Sequence, residues 1–108
     1  MIKIKVEYDN NFISKIVITG HANYDDYGKD IVCAAVSASV LTTINGIIAL
    51  DNSILEVDNI LDKMTIKVLK NEKNSQVLLN SMLSNLKSLV VEYLSLIHIS
   101  EPTRLQLI

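Results

Sequence analysis

The sequence predicts an α+β fold in which two helices pack on a mainly antiparallel four-stranded sheet, in the chain order β-β-α-β-β-α. Three observations predict it. Residues 2–19 and 54–69 are rich in β-branched side chains and alternate apolar with polar positions, the period of strands with one face covered. Two longer stretches, 31–50 and 74–93, repeat apolar residues every three or four positions, the period of a helix face. Short turn segments separate the strands within each pair, which favours hairpins and leaves the helices to cover one side of the sheet.

The chain has 108 residues, 49% hydrophobic and 20% charged, with three Gly and one Pro. That is one hydrophobic core's worth of sequence, and too apolar for a disordered tail. Ten Lys and Arg against twelve Asp and Glu give a net charge of -2. No concentrated positive field of the kind nucleic-acid backbones require is present, so DNA or RNA binding is not expected. Cys33 is the single cysteine, which excludes an intrachain disulfide, and no secretory leader pattern is visible; the expected location is cytoplasmic.

In the first strand Ile2, Ile4, Val6 and Tyr8 face one side, with Lys3, Lys5 and Glu7 on the other. Asp9, Asn10 and Asn11 supply the turn, and residues 13–19 return antiparallel until Gly20, where a backbone without Cβ bends sharply. Residues 23–29 are polar, with Asp25 and Asp26 between two tyrosines and Gly28 near the end, so a surface loop is expected. Asp30 is a favourable N-cap for a helix from Ile31 to Leu50, whose stripe is Cys33, Val36, Val40, Ile44 and Ile47. Its first turns carry the small residues Ala34, Ala35, Ser37, Ala38 and Ser39, which suit either tight packing on the sheet or close approach of a bound chain.

The same stretch is charge-free and about as long as a bilayer span. Ser37, Ser39, Thr42, Thr43, Asn45 and Gly46 interrupt it and no basic cluster flanks it, so no membrane partner is expected. Asp51, Asn52 and Ser53 break the helix, and residues 54–58 and 64–69 make a second hairpin. The last helix starts near Asn74 and aligns Leu79, Met82, Leu83, Leu86, Val90 and Tyr93. After Leu94 the character changes. Residues 95–108 hold the chain's single Pro and single Arg and resemble a translation of sequencing-adaptor DNA, so the domain is placed at 1–94 and the tail is set apart as atypical. The native alternative is a helix extension or an edge strand built on Leu96, Ile97 and Ile99; His98 is not counted toward a site.

His21 and Cys33 carry the chemistry. His21 follows Gly20 at a strand end, and Cys33 stands in the first turn of the expected helix, where unpaired N–H groups favour a thiolate. Within hydrogen-bond reach, a histidine takes the thiol proton and later protonates a leaving amine. The plain alternatives are a cysteine buried as a small hydrophobe and a histidine that bonds a turn. One Cys and one His beside Asp25, Asp26 and Asp30 match no structural zinc spacing, and no metal is expected.

Gly20-His21-Ala22, a short loop ending in Gly28, and Asp30-Ile31-Val32-Cys33-Ala34-Ala35-Val36-Ser37 together resemble the signature of the ribosomal-processing cysteine protease family. The resemblance spans about residues 1–94. It implies a catalytic dyad of His21 and Cys33, and a small cytoplasmic homodimer. It further implies an endopeptidase that removes the N-terminal extension of large-subunit ribosomal protein twenty-seven, cutting after an aromatic residue and using no cofactor. Asp30 matches the family's acidic position, as orienter of His21 or as helix cap. Gly20, Ala34 and Ser37 match supporting or substrate-contacting positions, and the loop at Gly28 is a candidate lid. The alternative is a non-catalytic peptide-binding or ribosome-assembly module of the same fold, or a dimeric scaffold.

Overall fold

β1 (Ile2–Asp9) and β2 (Phe12–Thr19) form the first hairpin, in a computed structural model that describes residues 1–20 and 27–102, with 27–30 described by backbone. Asn10 and Asn11 turn the chain with φ of 49° and 75°, the two successive positive values that match the twist of a tight hairpin. Ile2, Ile4 and Val6 are buried and the alternating lysines are exposed, as period-two patterning requires.

The hairpin is not regular. Glu7 pairs with Lys15 but Tyr8 pairs with Ile13, so Ser14 is an extra residue in β2. This bulge turns both Ile13 and Ile16 inward, where each is fully buried despite their odd spacing. Gln76 satisfies the backbone there: its Oε1 accepts from the Ile13 N–H at 2.8 Å and its Nε2 donates to the Ile13 carbonyl at 2.9 Å.

α1 (Tyr27–Leu50) follows, then the hairpin of β3 (Leu55–Ile60) and β4 (Lys63–Val68), then α2 (Lys73–Glu92). The Glu72 carboxylate caps α2, accepting from the N–H groups of Asn74 at 2.9 Å and Ser75 at 2.8 Å. The chain then adds β5 (Ile97–Ser100).

The sheet corrects the expected architecture: it has five strands in the order β3-β4-β2-β1-β5, and β5 runs parallel to β1. Since β2 is antiparallel to both β1 and β4, strands β4 and β5 point the same way, and α2 is the crossover that carries the chain past β2 and β1 to the far edge of the sheet. Ile97 pairs with Ile2 and Ile99 with Ile4, and the Ile2 N–H donates to the Leu96 carbonyl at 2.8 Å. The parallel strand arises because Ile97 and Ile99 alternate on the core side, with Ile97 fully buried.

Both helices cover one face. Val32, Val36, Val40, Ile44 and Ile47 of α1 and Leu79, Met82, Leu83 and Leu86 of α2 share one core with Ile4, Val6, Ile16 and Ile66 of the sheet. Complete burial of such a side chain contributes about 1.5–3 kcal/mol. The inner stripe of α1 therefore begins at Val32, and Cys33, expected to lead it, is only partly buried beside the core. By length and apolarity α1 passes the test for a membrane-crossing helix; in this fold its inner stripe is spent on the sheet.

Candidate active site

β2 ends at Thr19 and is followed by Gly20, whose φ of +85° is open to glycine and strained for other residues. A Cβ there would overlap the backbone oxygen of Met1. The Gly20 N–H donates to the Asp62 carbonyl at 3.3 Å, fastening the strand end to the β3–β4 turn. Leu61 makes that turn with φ of 54°.

These pieces wall a cavity of about 310 Å³ that contains Cys33. Gly20 and Ile18 supply one side, Val36 and Ser37 of α1 another, and Asn59, Asp62 and Met64 of the second hairpin the third. Cys33 and Ser37 share the cleft because residues four apart on a helix lie on one face.

The structure thus brings together Gly20, Cys33 and Ser37 of the residues singled out in the sequence. Ala34 is exposed on α1 and does not line this cavity. His21 lies outside the described residues, as do the loop positions 22–26. Its chain neighbour Gly20 opens onto the same cleft as the thiol.

The start of α1 corrects a second expectation. The helix begins at Tyr27, four positions before Ile31, so Gly28 and Asp30 belong to its first turn, Asp30 is not the N-cap, and the loop does not extend to residue 29. Cys33 is the seventh helical residue, and its own N–H is used by the i−4 carbonyl inside α1. Helix-terminal N–H groups are therefore not in place at Cys33 to hold a thiolate or an oxyanion, since their influence fades within the first turn.

Asn59, Asp62 and Met64 were missed by sequence reasoning. The turn chemistry of Asn59 and Asp62 on the second hairpin was the available signal; the approach of that hairpin to α1 is a tertiary fact with no local trace. Among the described residues no group of three or more His, Cys, Asp or Glu comes together to hold a metal ion.

Fold and cleft define a small α+β domain with a cysteine thiol in a peptide-sized cleft between a helix and the end of a sheet. The family model of the cysteine protease Prp matches residues 1–98. The ribosomal processing cysteine protease Prp of Staphylococcus aureus is 32% identical over 88 residues, 79% of this chain and 83% of that protein. Two crystal structures of the S. aureus protease superpose closely. The complex with a covalently linked product peptide has a TM-score of 0.85 at 27% identity, and the complex with a substrate peptide 0.86 at 26%; each covers 94% of this chain and all of the other. The chain belongs to the cysteine protease Prp family, and it is a cysteine protease.

Proposed function

We propose that this chain is an endopeptidase that removes the N-terminal extension from the precursor of large-subunit ribosomal protein twenty-seven, cutting after an aromatic residue. One observation carries the reading: Gly20, which delivers the chain to His21, and Cys33 line a single cleft. The relatives support it, since the S. aureus protein is a ribosomal processing protease solved with substrate and product peptides.

In this reading His21 takes the proton from the Cys33 thiol, and the thiolate attacks the scissile carbonyl carbon to form a tetrahedral adduct. The adduct collapses as His21 returns that proton to the leaving amine, leaving a thioester on Cys33. Water, deprotonated by His21, then hydrolyses the thioester and restores the thiol. Ser37 stands one turn further along the cleft wall, where its hydroxyl contacts the bound peptide. Asp30 takes the role of orienting His21 that the family resemblance implies.

The test is intact mass spectrometry of the precursor after incubation with the protein and with a Cys33→Ala variant. Loss of one discrete N-terminal peptide with wild type alone supports the reading; an unchanged precursor with well-folded protein points to the peptide-binding module instead. A cytoplasmic homodimer belongs to the same proposal, and sedimentation of a monomer at micromolar concentration would remove the dimer from it.

A further inference from the structure

The chain's balance of ten basic against twelve acidic residues is not the balance of each of its surfaces. The alternation that buries Ile4, Ile16 and Ile66 sends Lys3, Lys5, Lys15, Lys63 and Lys67 to the opposite face of the sheet, away from both helices. There the strand registers set Lys3, Thr19 and Lys63 in one row across β1, β2 and β4, then Lys5, Val17 and Thr65, then Glu7, Lys15 and Lys67. Glu7 is the acid of this block; Glu56 and Asp58 join from the edge strand β3, and Glu56 reaches Lys67 at 3.9 Å. Among the described residues Lys3, Lys5, Lys15 and Lys63 form no ion pair. Lys15 and Lys67 stand directly opposite each other, a like-charge arrangement that disfavours the bare sheet and that an anion between them relieves.

Charge and shape decide what such a face can hold. Two strand steps and four residues of rise make a block of roughly 10 by 13 Å, within which neighbouring ammonium groups act together inside a Debye length of about 10 Å at 0.1 M salt. The fitting partner is a polyanion. β1, β2 and β4 are each paired on both sides, so their N–H and C=O groups are spent within the sheet and an acidic peptide would find no main-chain bonds. Val17 is the apolar side chain of the block, too little to enter a lipid surface. Nucleic-acid phosphates need neither, only cations at regular spacing. Lys3 and Lys5, about 6.8 Å apart along β1, match two phosphate steps of about 3.4 Å along a duplex axis. The block holds no aromatic ring on which an unpaired base could stack, which favours a duplex over a single strand.

We infer that the face of the sheet turned away from the helices is a docking surface for the phosphate backbone of duplex RNA, without regard to base sequence. It lies behind the cleft: Lys3 and Lys63 alternate with Ile2 and Met64, which line the cavity of Cys33 on the helix side, so RNA and peptide can be held together. The choice of RNA over DNA rests on the proposed function, whose substrate is a ribosomal protein; the affinity for a phosphate backbone rests on the lysines alone.

The test is fluorescence anisotropy of a labelled RNA duplex of about 20 base pairs, titrated with wild type, with a Lys3→Gln/Lys5→Gln/Lys63→Gln variant, and with a Lys70→Gln/Lys73→Gln/Lys87→Gln variant that removes the same charge elsewhere. Matching urea midpoints check that all three are folded. Wild type should bind with an affinity whose logarithm falls against the logarithm of salt with a slope of about 3–4, and each lost phosphate contact should take about one from that slope. The variant of the sheet face should therefore fall to a slope near one and bind at least roughly tenfold more weakly at about 50 mM salt, while the other variant keeps the wild-type slope. No binding by wild type at low salt, or equal weakening in the two variants, would overturn the docking surface. Equal or tighter binding to polyglutamate or to phosphatidylserine vesicles would overturn nucleic acid as its occupant, and preference for a DNA duplex of the same sequence would overturn RNA. Cys33-dependent cleavage of a short peptide should be the same in all three proteins, so failure of RNA binding leaves the protease reading standing.

Discussion

The backbone N–H of Gly20 donates to the carbonyl of Asp62 at 3.3 Å, tying the end of β2 to the turn between β3 and β4 at the edge of the Cys33 cleft. This bond adds to the pairing of β4 with β2 in fixing where the second hairpin meets the cleft. On the other side Gly20 touches the backbone of Met1. The residue that precedes His21 is therefore held from two directions, and the chain leaves the sheet from a defined point.

Gly20→Ala tests that arrangement. The new Cβ would overlap the Met1 carbonyl, and φ of +85° is unfavourable for alanine. A cost of about 1–3 kcal/mol is expected from the backbone strain, read as a lower midpoint in urea unfolding. Cleavage should fall further than the loss of folded protein explains, because relief of the clash moves the neighbour of His21. Unchanged stability and activity would show that Gly20 is dispensable to the cleft.

Gln76 makes a different kind of structural claim. Its amide is the hydrogen-bond partner of both the N–H and the carbonyl of Ile13, whose side chain is wholly buried beside the Ser14 bulge. Gln76→Ala leaves both backbone groups short of a partner, at about 1–3 kcal/mol. Gln76→Glu retains an acceptor but no donor and should fall between alanine and wild type. Equal midpoints for all three proteins in urea would mean that water replaces the amide without loss.

Much of this fold is legible in the residues, and the failures share a cause. Ile2, Ile4 and Val6 declare a half-buried strand by alternation alone, and Leu79, Met82, Leu83 and Leu86 declare the inner face of α2. β5 is legible only as the alternative of an edge strand on Leu96, Ile97 and Ile99, since the likeness of residues 95–108 to adaptor-derived sequence sets the tail apart, and Ile97 is defined by a partner, Ile2, at the opposite end of the chain. The bulge at Ser14 is invisible, since a side chain on α2 completes it. Asp30 is a strong cap signal in isolation, yet the helix runs on through Gly28 to Tyr27, so local propensity loses to the continued backbone ladder. At the site, Cys33 is legible from its motif, whereas Asn59 and Met64 enter the cleft through the pairing of β3 and β4 with the rest of the sheet.

Acid should weaken the start of α2 in a defined direction. The N–H groups of Asn74 and then Ser75 bond the Glu72 carboxylate and hold it below its ordinary value of 4.5. A lowered folded-state value means that the stabilisation is complete above about pH 4.5 and is lost as pH falls through the lower folded value. Asp51 is lowered as well, mainly by its hydrogen bonds from Ser53, and acts in the same sense. Urea midpoints measured from pH 6 to pH 3 should decline in wild type, with a shallower decline in Glu72→Gln, which has no carboxylate to titrate there. Parallel profiles would remove Glu72 from the acid response.

Ile97 asks how much the parallel edge strand contributes. Its side chain is 1% exposed and packs in the main core, while Leu96 accepts the Ile2 N–H. Ile97→Ala deletes buried methyl groups at a site that can partly relax, so a loss near the lower end of the usual 2–5 kcal/mol is expected. Ile97→Val should cost about 0.5–1.5 kcal/mol. Hydrogen exchange locates the effect: the amides of β1 that face β5 should exchange faster in Ile97→Ala, while those between β3 and β4 keep their protection. Protection lost equally across all five strands would show that β5 unfolds only with the whole domain, and no loss anywhere would show that β1 is stable as a bare edge.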